Sequence, residues 1–162
     1  MTALEQALTF VLRWEGGYVN HPADRGGATM KGITQRVYDR YRTLSGLGTQ
    51  AVNLILDDEV REIYQEQYWN AGNCHRLRSK LDLAHFDTAV NMGINRATRI
   101  LQEASGCAAD GAFGPATEAA VGSCELRSTV ERYCEIREGW YRTTGSWKSR
   151  IKPCFLRAGS TA

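Results

Sequence analysis

The sequence predicts a mainly α-helical fold with one small glycine-rich β-hairpin after the first helix. Two observations predict it. Apolar residues recur every three or four positions in stretch after stretch, from Leu4-Leu8-Val11-Leu12 through Val60-Ile63-Tyr64-Tyr68 to Ala97-Ile100-Leu101-Ala104. That period belongs to helices. A cluster of turn formers, Asn20, Pro22, Asp24 and Gly26-Gly27, precedes a short segment, Ala28 to Ile33, suited to two short strands. The 162 residues suffice for one domain with a real core, or one domain carrying a small subdomain.

Composition narrows the function classes. Hydrophobic residues make up 43% of the chain and the mean hydropathy is -0.40, as in an ordinary soluble globule. The net charge of +2 and a pI near 8.3 are too mild for the basic face that nucleic acid demands, so no nucleic-acid partner is expected. No apolar run reaches transmembrane length, so no membrane insertion is expected. The N-terminus lacks the charged and apolar regions of a Sec signal, which predicts accumulation in the cytoplasm. Five cysteines (74, 107, 124, 134, 154) with no CxxC pair read as free thiols rather than a disulfide scaffold or zinc ribbon. No cofactor or metal is expected, because no histidines lie at ligand spacing. A monomer is expected, since no exposed heptad or long edge strand is evident.

Taken in order, Thr2 and Glu5 form a capping-box signature for the first helix. Glu15 lies four residues after Val11 and is expected on the same apolar face, with Gly16-Gly17 stopping the helix. Burial against Trp14 and the negative end of the helix dipole both disfavour a charged carboxylate there. Glu15 is therefore a candidate for a carboxyl that keeps its proton, as a general acid does. A surface glutamate at a frayed helix end fits the helix pattern equally well. The following turns can set Asp24 across a cleft from Glu15. Two carboxylates in unlike surroundings are the equipment for cutting a glycosidic bond: one protonates the leaving oxygen, the other activates water or stabilises the positive sugar ring. The Thr29 hydroxyl can help position that water. An Asx-turn for Asp24 and a packing role for Thr29 are the structural alternatives.

Thr34 can cap a second helix carrying Val37, Tyr38 and Tyr41, followed by a loop from Leu44 to Gln50. Asp57-Asp58-Glu59 is an acidic helix start. That helix closes at Tyr68-Trp69-Asn70 and breaks at Gly72-Asn73; its aromatics read first as core. Ser79 or Asp82 opens a helix with Leu81, Ala84, His85, Phe86 and Ala89 on its apolar side. Asp87, Asn91 and Asn95, spaced by four, read as its solvated face. Asn95 then caps a helix that Gly106 ends. Asp110-Gly111 reads as a tight turn, Pro115 as the first position of a further helix, and Leu126 to Tyr141 as a longer C-terminal helix.

The string Glu15-Gly-Gly-Tyr18, Asn20-x-Pro-x-Asp24-x-Gly-Gly-x-Thr29-x-x-Gly-Ile-Thr34 resembles the opening motif of the glycoside hydrolase family 108 peptidoglycan muramidases. The Glu, Asp, Thr order also resembles the triad of phage-type lysozymes. The acid-to-acid spacing agrees there, and Thr29 comes one residue early. Further on, Tyr68-Trp69, Phe86-Asp87-x-Ala89-Val90-Asn91-x-Gly93, Leu101-Gln102 to Asp110-Gly-x-x-Gly-Pro-x-Thr117, and Gly145-Ser-Trp147-Lys-Ser-Arg150 are similar to later motifs of the family.

The resemblance implies a lysozyme-like fold. It implies a catalytic lobe at 1–93, a C-terminal helical peptidoglycan-binding-like lobe at 94–157 and a tail at 158–162. It implies Glu15 as the acid, with Asp24 and Thr29 as its catalytic partners, and Tyr18, Tyr68, Trp69 and Asn91 in substrate binding. The expected activity is an N-acetylmuramidase acting on bacterial peptidoglycan, in an endolysin-like setting with release by a holin. A lytic transglycosylase on the same bond, and a wall-binding protein without activity, are the alternatives. A metal- or cysteine-dependent hydrolase finds no ligand spacing or nucleophile geometry in the sequence.

Overall fold

The first helix begins as its sequence requires. Thr2 Oγ1 accepts from the Glu5 N–H at 3.2 Å, and Glu5 Oε2 accepts from the Thr2 N–H at 2.7 Å. This helix, α1 (Ala3–Leu12), buries Leu4, Ala7, Leu8 and Val11. The structure, a computed structural model, describes residues 1–20 and 27–143. Asp24 and the Gly145–Arg150 motif lie outside the described residues.

The helix stops sooner than its glycine pair implied. Its last residue is Leu12, and the Trp14 N–H bonds back to the Val11 carbonyl at 3.1 Å, tightening the final turn. Glu15 is thus in the bend beyond the helix and not on its apolar face. Trp14 is 54% exposed, not a buried cover. The physical reason lies downstream. Val19 exchanges two backbone hydrogen bonds with Thr29, at 2.9 and 2.8 Å, so the chain must leave the helix axis early to reach the hairpin.

The hairpin is short. β1 (Thr29–Met30) pairs antiparallel with β2 (Ile33–Thr34), Thr29 opposite Thr34 and Met30 opposite Ile33. Lys31 and Gly32 form the two-residue turn with φ of +49° and +77°. Positive φ at both central residues matches the right-handed twist of the strands. Thr34 then caps α2 (Gln35–Leu44), its Oγ1 accepting from the Val37 N–H at 3.4 Å.

The remainder is helical: α3 (Asp57–Tyr64), a π-helical turn (Gln65–Asn70) that continues it, α4 (Leu81–Met92), α5 (Ile94–Ser105), α6 (Pro115–Ser123) and α7 (Leu126–Thr143). The architecture is mainly α with a small hairpin after the first helix, as the sequence predicts. Two sequence-based caps are displaced. Lys80, not Ser79 or Asp82, precedes α4, and Gly93 precedes α5, leaving Asn95 inside its first turn. Asn95 instead accepts from Arg99 Nε at 3.1 Å and donates to the Gly111 carbonyl at 3.3 Å.

α4 lies between two apolar clusters. Phe86 joins Leu8, Val11, Ile33, Tyr38, Ile63 and Tyr64 on one side, while Leu81 and Ala84 join Ile100, Leu101, Val130 and Tyr133 on the other. The expected solvated face of α4 is corrected at Asp87. It is fully buried and ion-paired with Arg137 of α7, whose charge offsets the desolvation. Gln102 is buried too. It donates to Asp110, the Ala112 carbonyl and Thr117, and accepts from the Gly111 N–H, which organises the α5–α6 turn. Cys134 is disulfide-bonded, against the expectation of free thiols throughout. Cys74 is a buried thiol, and Cys107 and Cys124 are partly exposed thiols.

Candidate active site

Three pieces of backbone converge on Glu15: the bend after α1 that carries it, the hairpin tip, and the junction of α3 with the π-helical turn. The convergence is measured at Gly32. A β-carbon placed there would lie 2.6 Å from Tyr64 Oη, 2.9 Å from Glu15 Oε2 and 3.2 Å from Glu15 Cδ. Glycine is required at this point twice over, by the positive φ and by the close approach of both side chains.

The seat is held on each side. Tyr64, 1% exposed, donates its hydroxyl proton to the Lys31 carbonyl at 2.9 Å. The Lys31 ammonium pairs with Asp57 at the start of α3. The hairpin tip is therefore tied to α3 at two places. Tyr68 packs against Tyr64 with ring centroids 5.6 Å apart. Burial, reinforced by the negative charge of Glu15, raises both phenols above their usual range, so both stay neutral near neutral pH.

The other sequence-predicted residues divide. Tyr68 is half-buried and faces the charge of Glu15. Tyr18 is 49% exposed, one residue before the Val19–Thr29 bridge. Thr29 is half-buried in β1, with its hydroxyl donating to the Gly27 carbonyl at 3.1 Å. Asp24 lies outside the described residues. Trp69 is a correction: it is 6% exposed, with its ring edge-on to Phe86 at 5.5 Å, so it packs the core and offers no open face to a sugar. Asn91 is half-buried at the end of α4 and donates to the Asp87 carbonyl at 2.6 Å and to Asp87 Oδ1 at 3.1 Å, which ties it to the buried ion pair.

Trp14 differs from its expected role, and Tyr64 escaped the sequence. Trp14, expected as cover for Glu15, presents an exposed indole one residue from it. Tyr64 read as core stripe only; its hydroxyl and the Glu15 carboxyl both approach Gly32 at the hairpin tip. Among the described residues, no three of His, Cys, Asp and Glu are grouped so as to hold a metal ion.

The chain has the family's fold and its motif in one place. The glycosyl hydrolase 108 family model matches residues 8–93, from within α1 to the residue after α4. The chain belongs to this family. The match spans Glu15, the hairpin, Tyr64 and Asn91. A solved structure titled as that of Brucella abortus SagA superposes with a TM-score of 0.76 at 32% identity, covering 96% of this chain and 92% of that one. No curated protein matches the chain. As a glycosyl hydrolase, it needs a proton donor for the departing sugar oxygen. The Glu15 carboxyl, half-buried and partly lined by neutral hydroxyl-bearing rings, is suited to that task.

Proposed function

We propose that this glycosyl hydrolase is an N-acetylmuramidase that hydrolyses the glycan strands of bacterial peptidoglycan. The observation that carries it is the seat of the Glu15 carboxyl against the hairpin tip and Tyr64, at the first residue of the family's opening motif. In this reading Glu15 protonates the glycosidic oxygen as the C–O bond breaks. Asp24 accepts a proton from the attacking water or stabilises the positive ring, and the Thr29 hydroxyl helps position that water. Tyr18, Tyr68 and the exposed Trp14 give the sugar rings aromatic surface, and Asn91 offers a polar contact at the end of α4.

The biological setting we infer is lysis of a wall from within, with holin-dependent release and a monomeric enzyme. The test is product analysis on isolated peptidoglycan. Muropeptides ending in reducing N-acetylmuramic acid are expected. Reducing N-acetylglucosamine ends would make it a glucosaminidase, 1,6-anhydro ends a transglycosylase, and binding without new ends a wall-binding protein. Any of the three contradicts the proposal.

A further inference from the structure

We propose that the groove between α2 and α3 binds the peptide stem of peptidoglycan, a stem whose diamino acid carries both carboxylates and a free ammonium. The inference rests on the reading of the chain as a peptidoglycan hydrolase. The groove is a cavity of about 880 Å³, within the size range of ligand sites. One wall is α2, which contributes Arg36 and Arg40. The other is α3 with the π-helical turn, which contribute Glu62 and Glu66. All four are exposed. Val37 and Ile63 add apolar lining, while Glu15 and Tyr64 do not line the groove.

The walls carry opposite charge, yet among the described residues no ion pair crosses between them. Arg36 and Arg40 have neither an ion pair nor a hydrogen bond there. Four apart on one helix face, they repel each other. Glu62 accepts from the Tyr41 hydroxyl at 2.6 Å and Glu66 from Asn70 Nδ2 at 2.9 Å, so each holds a neutral donor and no cation. A ligand with both signs of charge satisfies both walls: its carboxylates meet the guanidinium forks and its ammonium the glutamates. The walls are also preformed. Below the groove, Glu59 of α3 accepts from the Tyr38 hydroxyl at 2.6 Å and from Arg42 Nη1 at 2.9 Å, which pins α2 to α3.

The groove is within reach of the acid. Arg36 comes four residues after Gly32, so its Cα lies within about 14 Å of the hairpin tip. A stem of four residues spans about the same length. A glycan strand held at Glu15 can therefore lay its stem into the groove.

The experiment is an amide NMR titration of the protein with N-acetyl-L-alanyl-γ-D-glutamyl-meso-diaminopimelate, a stem without sugar. Saturable shifts are expected in α2 and α3 along the groove. Arg36→Gln/Arg40→Gln, two exposed changes, should weaken binding at least tenfold. Acetylating the diaminopimelate amine should weaken binding to wild type at least threefold and weaken binding to Glu62→Gln/Glu66→Gln no further. No saturable shift, or wild-type affinity in the arginine variant, overturns the proposal. Equal affinity for the acetylated peptide on wild type overturns it too, since the groove would then be an anion patch only; this arm needs no variant to fold. Chitotetraose, sugar without peptide, should leave the groove resonances in place, and shifts there would give the groove to the glycan instead. The titration needs no turnover. Wild type that leaves peptidoglycan uncut would count against the proposed function, while the peptide titration still decides the groove.

Discussion

Trp14 and Trp69 are separated by burial. Trp69 fills the core against Phe86, and Trp69→Ala should cost about 3–5 kcal/mol by urea unfolding. Trp14 is 54% exposed, and Trp14→Ala should change stability by no more than about 0.5 kcal/mol. Its expected effect is on binding: KM for glycan strands rises several-fold with kcat little changed. An unchanged KM would remove Trp14 from the sugar path. His85 makes a different prediction. It is fully buried, its Nε2–H donating to the Gly72 carbonyl at 3.0 Å, and burial lowers its pKa from 6.5 to about 4. Between these values the unfolded chain binds the proton and the folded chain does not. The stabilisation is complete above pH 6.5 and is lost as the pH falls toward 4, at about 1.4 kcal/mol per unit at its steepest. Unfolding curves across that window should show the slope in wild type and lose it in a folded His85→Phe. A slope that persists in the variant would assign it elsewhere.

At the scale of elements, the hairpin is a clamp, and its tip is the tightest point. Gly32→Ala places a β-carbon within 3 Å of both Tyr64 Oη and Glu15 Oε2 and strains a φ of +77°. About 1–2 kcal/mol of stability should be lost. Activity should fall at least tenfold, because the carboxyl is pushed from its seat. Full activity at reduced stability would show that the hairpin tip does not set the acid. These elements were legible in the sequence where local chemistry decides them. The Thr2–Glu5 box, the Thr34 cap, Gly106 at the end of α5 and Pro115 at the start of α6 all lie as read. The position of Glu15 was not legible, because the Val19–Thr29 bridge fixes where α1 must end, and that pairing is tertiary. The approach of Glu15 and Tyr64 to Gly32 was hidden for the same reason. Periodicity identifies the buried stripe of α3 but not what its one hydroxyl touches.

Across the whole molecule, α4 joins the two apolar clusters, and its fully buried carboxylate, Asp87, finds its partner fifty residues on in α7. Four-residue spacing of polar residues reads as a wet face; only the fold reveals a cation brought to it. Arg137→Leu should destabilise the protein by about 3–5 kcal/mol, since it strands Asp87 uncompensated. The double change Asp87→Leu/Arg137→Leu should recover most of that loss by urea unfolding. Equal loss in both would mean that arginine packing, not charge pairing, holds α7. Asn91 hangs from Asp87, so the single change should also raise KM if the end of α4 meets substrate. The central claim concerns Glu15, and the most direct measurement compares wild type with Glu15→Gln on isolated peptidoglycan. New reducing ends are counted and circular dichroism checks the fold. Glutamine keeps the shape and donates no carboxyl proton. The account predicts reducing N-acetylmuramic acid ends from wild type and at least a hundredfold fewer from the folded variant, the scale of lost general-acid catalysis. Wild-type activity in folded Glu15→Gln would contradict it.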